Sequence, residues 1–172
     1  MTSSTTPPTP PEDRKDQEAI LSTILLFFTG LRNASPSTML STVLPTGHAA
    51  LLRPSPPNPS SNLHTKQIFH LTLADVIAKV TTISDGVPRL EENIALASWQ
   101  DGDDGDRYGG RRTEVRVAGG LGMAWTPFEV RTIEGGEVVN VGTNVFTLLK
   151  RVEGERVGEW AICGIADTGP MK

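Results

Sequence analysis

The stretch EVVNVGTNVFTLLKR constrains this chain more than any other, because a strand of that length carries apolar residues on both of its faces. The even positions Asn140, Gly142, Asn144, Phe146 and Leu148 fall on one side, and Val139, Val141, Val145 and Leu149 on the other. A strand apolar on two sides needs a cover on each, which predicts helices against one face of its sheet and further protein against the other.

The segments around it supply both. Thr9-Pro10-Pro11-Glu12 has the form of a capping box opening a helix. Ile20, Ile24, Phe27, Phe28 and Leu31 then recur at three- and four-residue spacing. Gly30 and Asn33 read as stop signals, and Ser35-Pro36 opens a second short helix through Val43. TGHAALLRP and IFHLT form a hairpin across the Pro- and Ser-rich loop 55–67, and Thr72 caps a third helix, LADVIAKVTTI. The rest is β: EENIALASW, TEVRVAGGLGMAWTPFEVRT, EVVNVGTNVFTLLKR and EWAICGIADT, interrupted by the Gly- and Asp-rich insertion 101–112. Helices first and antiparallel strands second predict an α+β domain over residues 10–172, preceded by a Pro/Thr/Ser-rich disordered tail at 1–9.

Composition narrows the function classes. A formal net charge of -4 with no long basic block argues against a nucleic-acid partner. AILSTILLFFTGL is too short and too rich in hydroxyls to span a bilayer. A single cysteine in 172 residues cannot form an internal bridge, and with no basic start before the apolar run the expected compartment is the cytoplasm. The acidic run from Asp101 to Asp106 fails the EF-hand spacing, and His48, His64 and His70 have no ligand-like spacing with Cys163, so no metal site is expected. The acidic run reads instead as a solvated hairpin loop.

The series GHAALLRP, HLTLADVI, GLGMAWTPFEV, VGTNVFTLLKR and EWAICGIADT resembles the SnoaL-like branch of the NTF2-like superfamily, over residues 16 to 168. The resemblance implies a cone: three N-terminal helices packed in the concave face of a strongly bent antiparallel sheet, with an apolar cavity open at one end. It also implies a homodimer paired through the outer sheet faces. The implied activity is isomerisation, cyclisation or dehydration of an apolar or polycyclic small molecule by acid-base catalysis without a cofactor; the alternative is a non-catalytic ligand-binding or dimerisation module. On that basis Glu129, His48 and Asp167 are the candidate catalytic groups, and Trp125, Asn144, Met123 and Phe28 the candidate substrate contacts. Each also has a structural reading: a hydrogen-bonded histidine, a rim carboxylate at Glu129, a turn-capping Asp167. Gly164 and Ala166 permit a bulge that would switch Asp167 to the other face of its strand.

Overall fold

A computed structural model of the chain describes residues 11–54, 66–82, 90–102, 107–133 and 136–167. The tail at 1–9, the proposed cap at Thr9, His64 and most of the acidic run lie outside them. Ten elements follow in the order α1 (Pro11–Arg32), α2 (Pro36–Thr42), β1 (Val43–Pro54), β2 (Lys66–Thr72), α3 (Leu73–Thr82), β3 (Leu90–Ile94), β4 (Glu114–Ala118), β5 (Leu121–Thr132), β6 (Val138–Lys150) and β7 (Trp160–Asp167).

The strands form one seven-stranded sheet in the order β2-β1-β7-β6-β5-β3, with β4 also on β5. The far edge of β5 is shared: its first half, Leu121 to Trp125, pairs with β4, and its second half, Phe128 to Thr132, with β3. The stretch expected as one strand from Thr113 to Thr132 therefore divides at Gly119-Gly120, where Gly119 takes a positive φ of 59° that favours glycine. The fold class is α+β as expected, but the sheet is mixed: β1 runs parallel to β7.

The concave face carries the core. Ile20, Ile24 and Phe28 of α1, Met39 of α2 and Leu73 and Ile77 of α3 pack onto Ala49, Ala124, Phe146, Leu148 and Ile162. This apolar periodicity is the reason the helices settle on that side. Gly30 acts as a contact point rather than a stop: a Cβ there would lie 2.7 Å from Met39 Cγ and 2.9 Å from the Met39 amide, so α2 crosses α1 at this residue. The turn after α1 comes at Ala34, with φ 48°. Thr72 caps α3 as expected, its Oγ1 accepting from the Asp75 amide at 3.1 Å.

One irregularity sets which residues of β7 face inward. Leu148 pairs with Ile162 and Thr147 with Gly164, so Cys163 is an extra residue on β7. Ile162 and Ile165, three apart, consequently both belong to the core side.

Candidate functional site

The concave wall of the sheet is read from the register. Ala124 pairs with Phe146, Thr126 with Asn144, Phe128 with Gly142, and Val130 with Asn140. On the next strands, Asn144 pairs with Asp167, Phe128 with Ile94, and Val130 with Glu92. Residues directly opposite share a face, so one polar group forms on an otherwise apolar wall: Thr126, Asn144, Asp167, Glu92 and Asn140.

The geometry within that group is specific. Asn144, 5% exposed, donates from Nδ2 to Glu92 Oε1 at 2.6 Å. Gly142, opposite Phe128, lies between Asn144 and Asn140 on β6. Thr126 is 0% exposed, and its Oγ1 has no hydrogen-bond partner; Asn140 Oδ1 is likewise buried and unpartnered. Unpartnered buried polar atoms are rare in folded proteins and call for an explanation. Glu92 and Asp167 are half-buried, which connects the group to solvent on the side away from Phe146.

Of the residues singled out from the sequence, Asn144, Asp167 and Phe28 are on the concave side. Asp167 arrives there through the bulge at Cys163, directly opposite Asn144. Phe28 lies deeper: its ring meets that of Phe146 edge-to-face at 5.8 Å, and with Phe128 both are buried, so side chains fill the narrow part of the cone.

Four others are elsewhere. Met123, Trp125 and Glu129 do share one stripe of β5, but it is the outer one, because Ala124, Thr126 and Phe128 take the helix side. Glu129 is 4% exposed through local pairing: the Arg131 guanidinium grips its carboxylate, with Nη2 donating to Oε2 at 3.0 Å, and Arg107 Nε lies 3.7 Å from Oε1. A carboxylate held by two guanidiniums on the outer face is not the base of an interior site. Trp125 lies under the Arg116 guanidinium, 5.2 Å from the ring centre. His48 is exposed and belongs to the outer face of β1, while the neighbouring Ala49 is in the core. It diagonally neighbours His70 there, since His70 pairs with Ala50.

Residues 107–112, which follow the acidic run, are anchored to the sheet. Tyr108 is buried, and Arg111 donates to the Tyr108 carbonyl and to Thr143 Oγ1 at 3.3 Å, which seats this part of the insertion on the outer face of β5 and β6.

Glu92 was not singled out from the sequence, although a signal for it exists. In LEENI it stands two residues from both Leu90 and Ile94, on the apolar stripe of a strand, whereas Glu91 falls on the polar one. Among the described residues no three His, Cys, Asp or Glu side chains gather as metal ligands, and no helix is long and apolar enough to cross a membrane. A groove of about 600 Å3 runs outside the cone, between α1 and the β6–β7 hairpin, past Lys15, Asp16, Leu26, Arg156 and Trp160.

No protein-family model matches the sequence. No curated protein is detectably similar to it. Solved structures are similar in fold. An NTF2-like superfamily protein from Salmonella enterica superposes with a TM-score of 0.60 at 11% identity, over 92% of this chain and 94% of that one. An NTF2-like protein of unknown function from Shewanella baltica gives 0.54 at 13% identity, over 96% and 100%. A proposed dehydratase of the NTF2-like family from Streptomyces avermitilis gives 0.58 at 11% identity, over 92% and 99%. The protein has the NTF2-like fold, an α+β cone of helices in a bent mixed sheet.

Proposed function

We propose that the cone binds a small, largely apolar molecule at its wide end and moves a proton on it, with Glu92 as the acid-base group and Asn144 as the residue that orients it. The observation that carries this reading is the 2.6 Å hydrogen bond from Asn144 to Glu92. It draws a carboxylate from β3 across an apolar wall, beside a threonine hydroxyl that has no partner of its own. A carboxylate held in place by an amide donor beside an apolar wall is positioned to exchange a proton with a bound molecule. Asp167, across from Asn144, is the second carboxylate of the same polar group. The reaction class is isomerisation, cyclisation or dehydration, as the likeness to the SnoaL-like branch suggests, and the compartment is cytoplasmic. The fold shared with a proposed dehydratase is consistent with this class.

The deciding experiment is native mass spectrometry of the purified protein for co-purifying small molecules, followed by thermal-shift screening of apolar carbonyl and polycyclic compounds against wild type and Glu92→Gln. Binding in both, with turnover lost in Glu92→Gln, supports the assignment. Turnover unchanged in Glu92→Gln removes Glu92 from the mechanism.

A second reading has its own support. Phe28, Phe128 and Phe146 fill the narrow part of the cone, as a non-catalytic dimerisation module would have it. The outer face exposes Leu121, Val139, Val141 and Leu149 between 37% and 48%. Under either reading we propose a homodimer through this face. A monodisperse monomer in sedimentation at micromolar concentration would sink it.

A further inference from the structure

We infer that the outer face of the sheet holds a small aromatic carboxylate, in a groove flanked by Arg111 and Arg116 and floored by Trp125 and Pro127. This site is separate from the cone, and the failure of either leaves the other standing.

The groove has a volume of about 450 Å3 and is lined by Arg111, Arg112, Glu114, Arg116, Trp125 and Pro127. Three guanidiniums against one carboxylate make it electropositive. Two of the three are fixed by neutral acceptors. Arg112 donates to the carbonyls of Ala97, Gln100 and Gly102, the last at 2.7 Å. Arg111 donates from Nε to the Tyr108 carbonyl at 3.1 Å and from Nη1 to Thr143 Oγ1 at 3.3 Å. These bonds hold both groups in place without cancelling their charge, and neither pairs with a carboxylate among the described residues. Arg111 Nη2, committed to no acceptor among those residues, is left to meet an anion.

Arg116 stands on the other side. Its guanidinium lies over the Trp125 ring, 5.2 Å from the ring centre. It meets Glu114 through Nη2 alone, at 3.3 Å, with the two side chains 74% and 59% exposed. An ion pair so open to water is weak and exchanges readily, and the guanidinium fork matches an incoming carboxylate with two parallel N–H···O bonds. Beside these donors Trp125 and Pro127 offer apolar ground for a planar ring. An inorganic anion leaves that ground unused, and a neutral amide leaves the guanidiniums uncompensated; a carboxylate on an aromatic ring answers both. The groove opens on the β4 side of β5, whereas Val139, Val141 and Leu149 of β6, proposed to pair two copies, do not line it.

The test is isothermal titration of the full chain with 2-naphthoate, its uncharged isostere naphthalene-2-carboxamide, and inorganic phosphate. Naphthoate is expected to bind at least about tenfold tighter than the carboxamide or phosphate. Arg111→Gln and Arg116→Gln are each expected to weaken naphthoate by about tenfold and to change the carboxamide by less than about threefold. Glu114→Gln, which removes the one negative charge of the groove, is expected to tighten naphthoate by about two- to fivefold. Arg111→Lys keeps the charge and guards against a glutamine variant that unseats residues 107–112; it is expected to retain naphthoate binding within about fivefold. Carboxamide binding as tightly as naphthoate overturns the proposal, as does naphthoate affinity unchanged in both glutamine variants, which would place the molecule elsewhere. Phosphate as tight as naphthoate overturns the aromatic assignment. Failure of naphthoate to bind overturns the site and leaves the cone untouched.

Discussion

Asn144 and Glu92, 52 residues apart in the chain, meet through one hydrogen bond of 2.6 Å. The bond ties β6 to β3, two strands that do not pair with each other because β5 runs between them. Asn144→Leu keeps the volume and removes the donor, leaving Glu92 with one fewer partner. The expected loss is about 1.5–3 kcal/mol in urea denaturation, the range for a hydrogen bond to a charged group. An unchanged midpoint would show that the pair contributes nothing to the fold.

Glu129 holds the Arg131 guanidinium beside it on β5 and ties residue 107 to the outer face through Arg107, whose Nε lies 3.7 Å from Oε1. Truncating one partner of a buried ion pair leaves the other charge uncompensated, at a cost of about 3–5 kcal/mol, less here because both guanidiniums reach solvent. In Glu129→Ala we expect trypsin to cut after Arg107 or Arg111 at least several-fold faster than in wild type. Equal cleavage rates would mean that the insertion is held by Tyr108 and Arg111 alone.

Gly47 faces the backbone of β7: a Cβ there would lie 2.5 Å from the Cys163 carbonyl oxygen and 2.8 Å from Leu73 Cδ1. The backbone atom cannot swing aside as a side chain would. Gly47→Ala should destabilise by about 1–3 kcal/mol, the range for overpacking, read as a lower melting temperature. A neutral result would require β1 and β7 to part without cost.

Asp16 accepts from Lys150 Nζ at 2.9 Å and from Trp160 Nε1 at 3.1 Å, and the lysine hydrogen bond holds its carboxyl below the usual aspartate value. A carboxyl with a depressed folded-state value stabilises above its unfolded value and loses that contribution as pH falls through the folded one. Wild type should therefore exceed Asp16→Asn in stability at neutral pH, and the gap should close below about pH 4, near the ordinary carboxylate value. A gap that does not vary with pH would assign the effect to the hydrogen bonds without the charge.

Burial pushes the Cys163 thiol up, and its Sγ donates to the Thr147 carbonyl at 3.3 Å. The thiolate is the reactive form, so alkylation at pH 8 should be at least about tenfold slower in the native protein than in the denatured one. Matching rates would contradict a structural thiol.

Much of the fold was legible because it depends on local pattern. The spacing of Ile20, Ile24 and Phe28 makes an amphipathic helix, Thr72 caps α3 by a contact three residues long, and the alternation in β6 gives a strand whose inner row, Asn144, Phe146 and Leu148, is buried. The parallel pairing of β1 with β7 was not legible, since pairing partners far apart in sequence are chosen by packing. The site was less legible still. Period two shows that Met123, Trp125 and Glu129 share a face, but whether that face is inner or outer depends on where α1 and α3 lie against Ala124 and Phe128.

The sequence by itself determined the elements, their order and the residues that travel together on each face. The tertiary structure alone decided which face is inside. Asp167 faces Asn144 because one extra residue at Cys163 reverses the alternation of β7, and Glu92 joins them by reaching from β3 across β5 to the Asn144 amide. Both depend on contacts between strands that the spacing within one strand cannot encode.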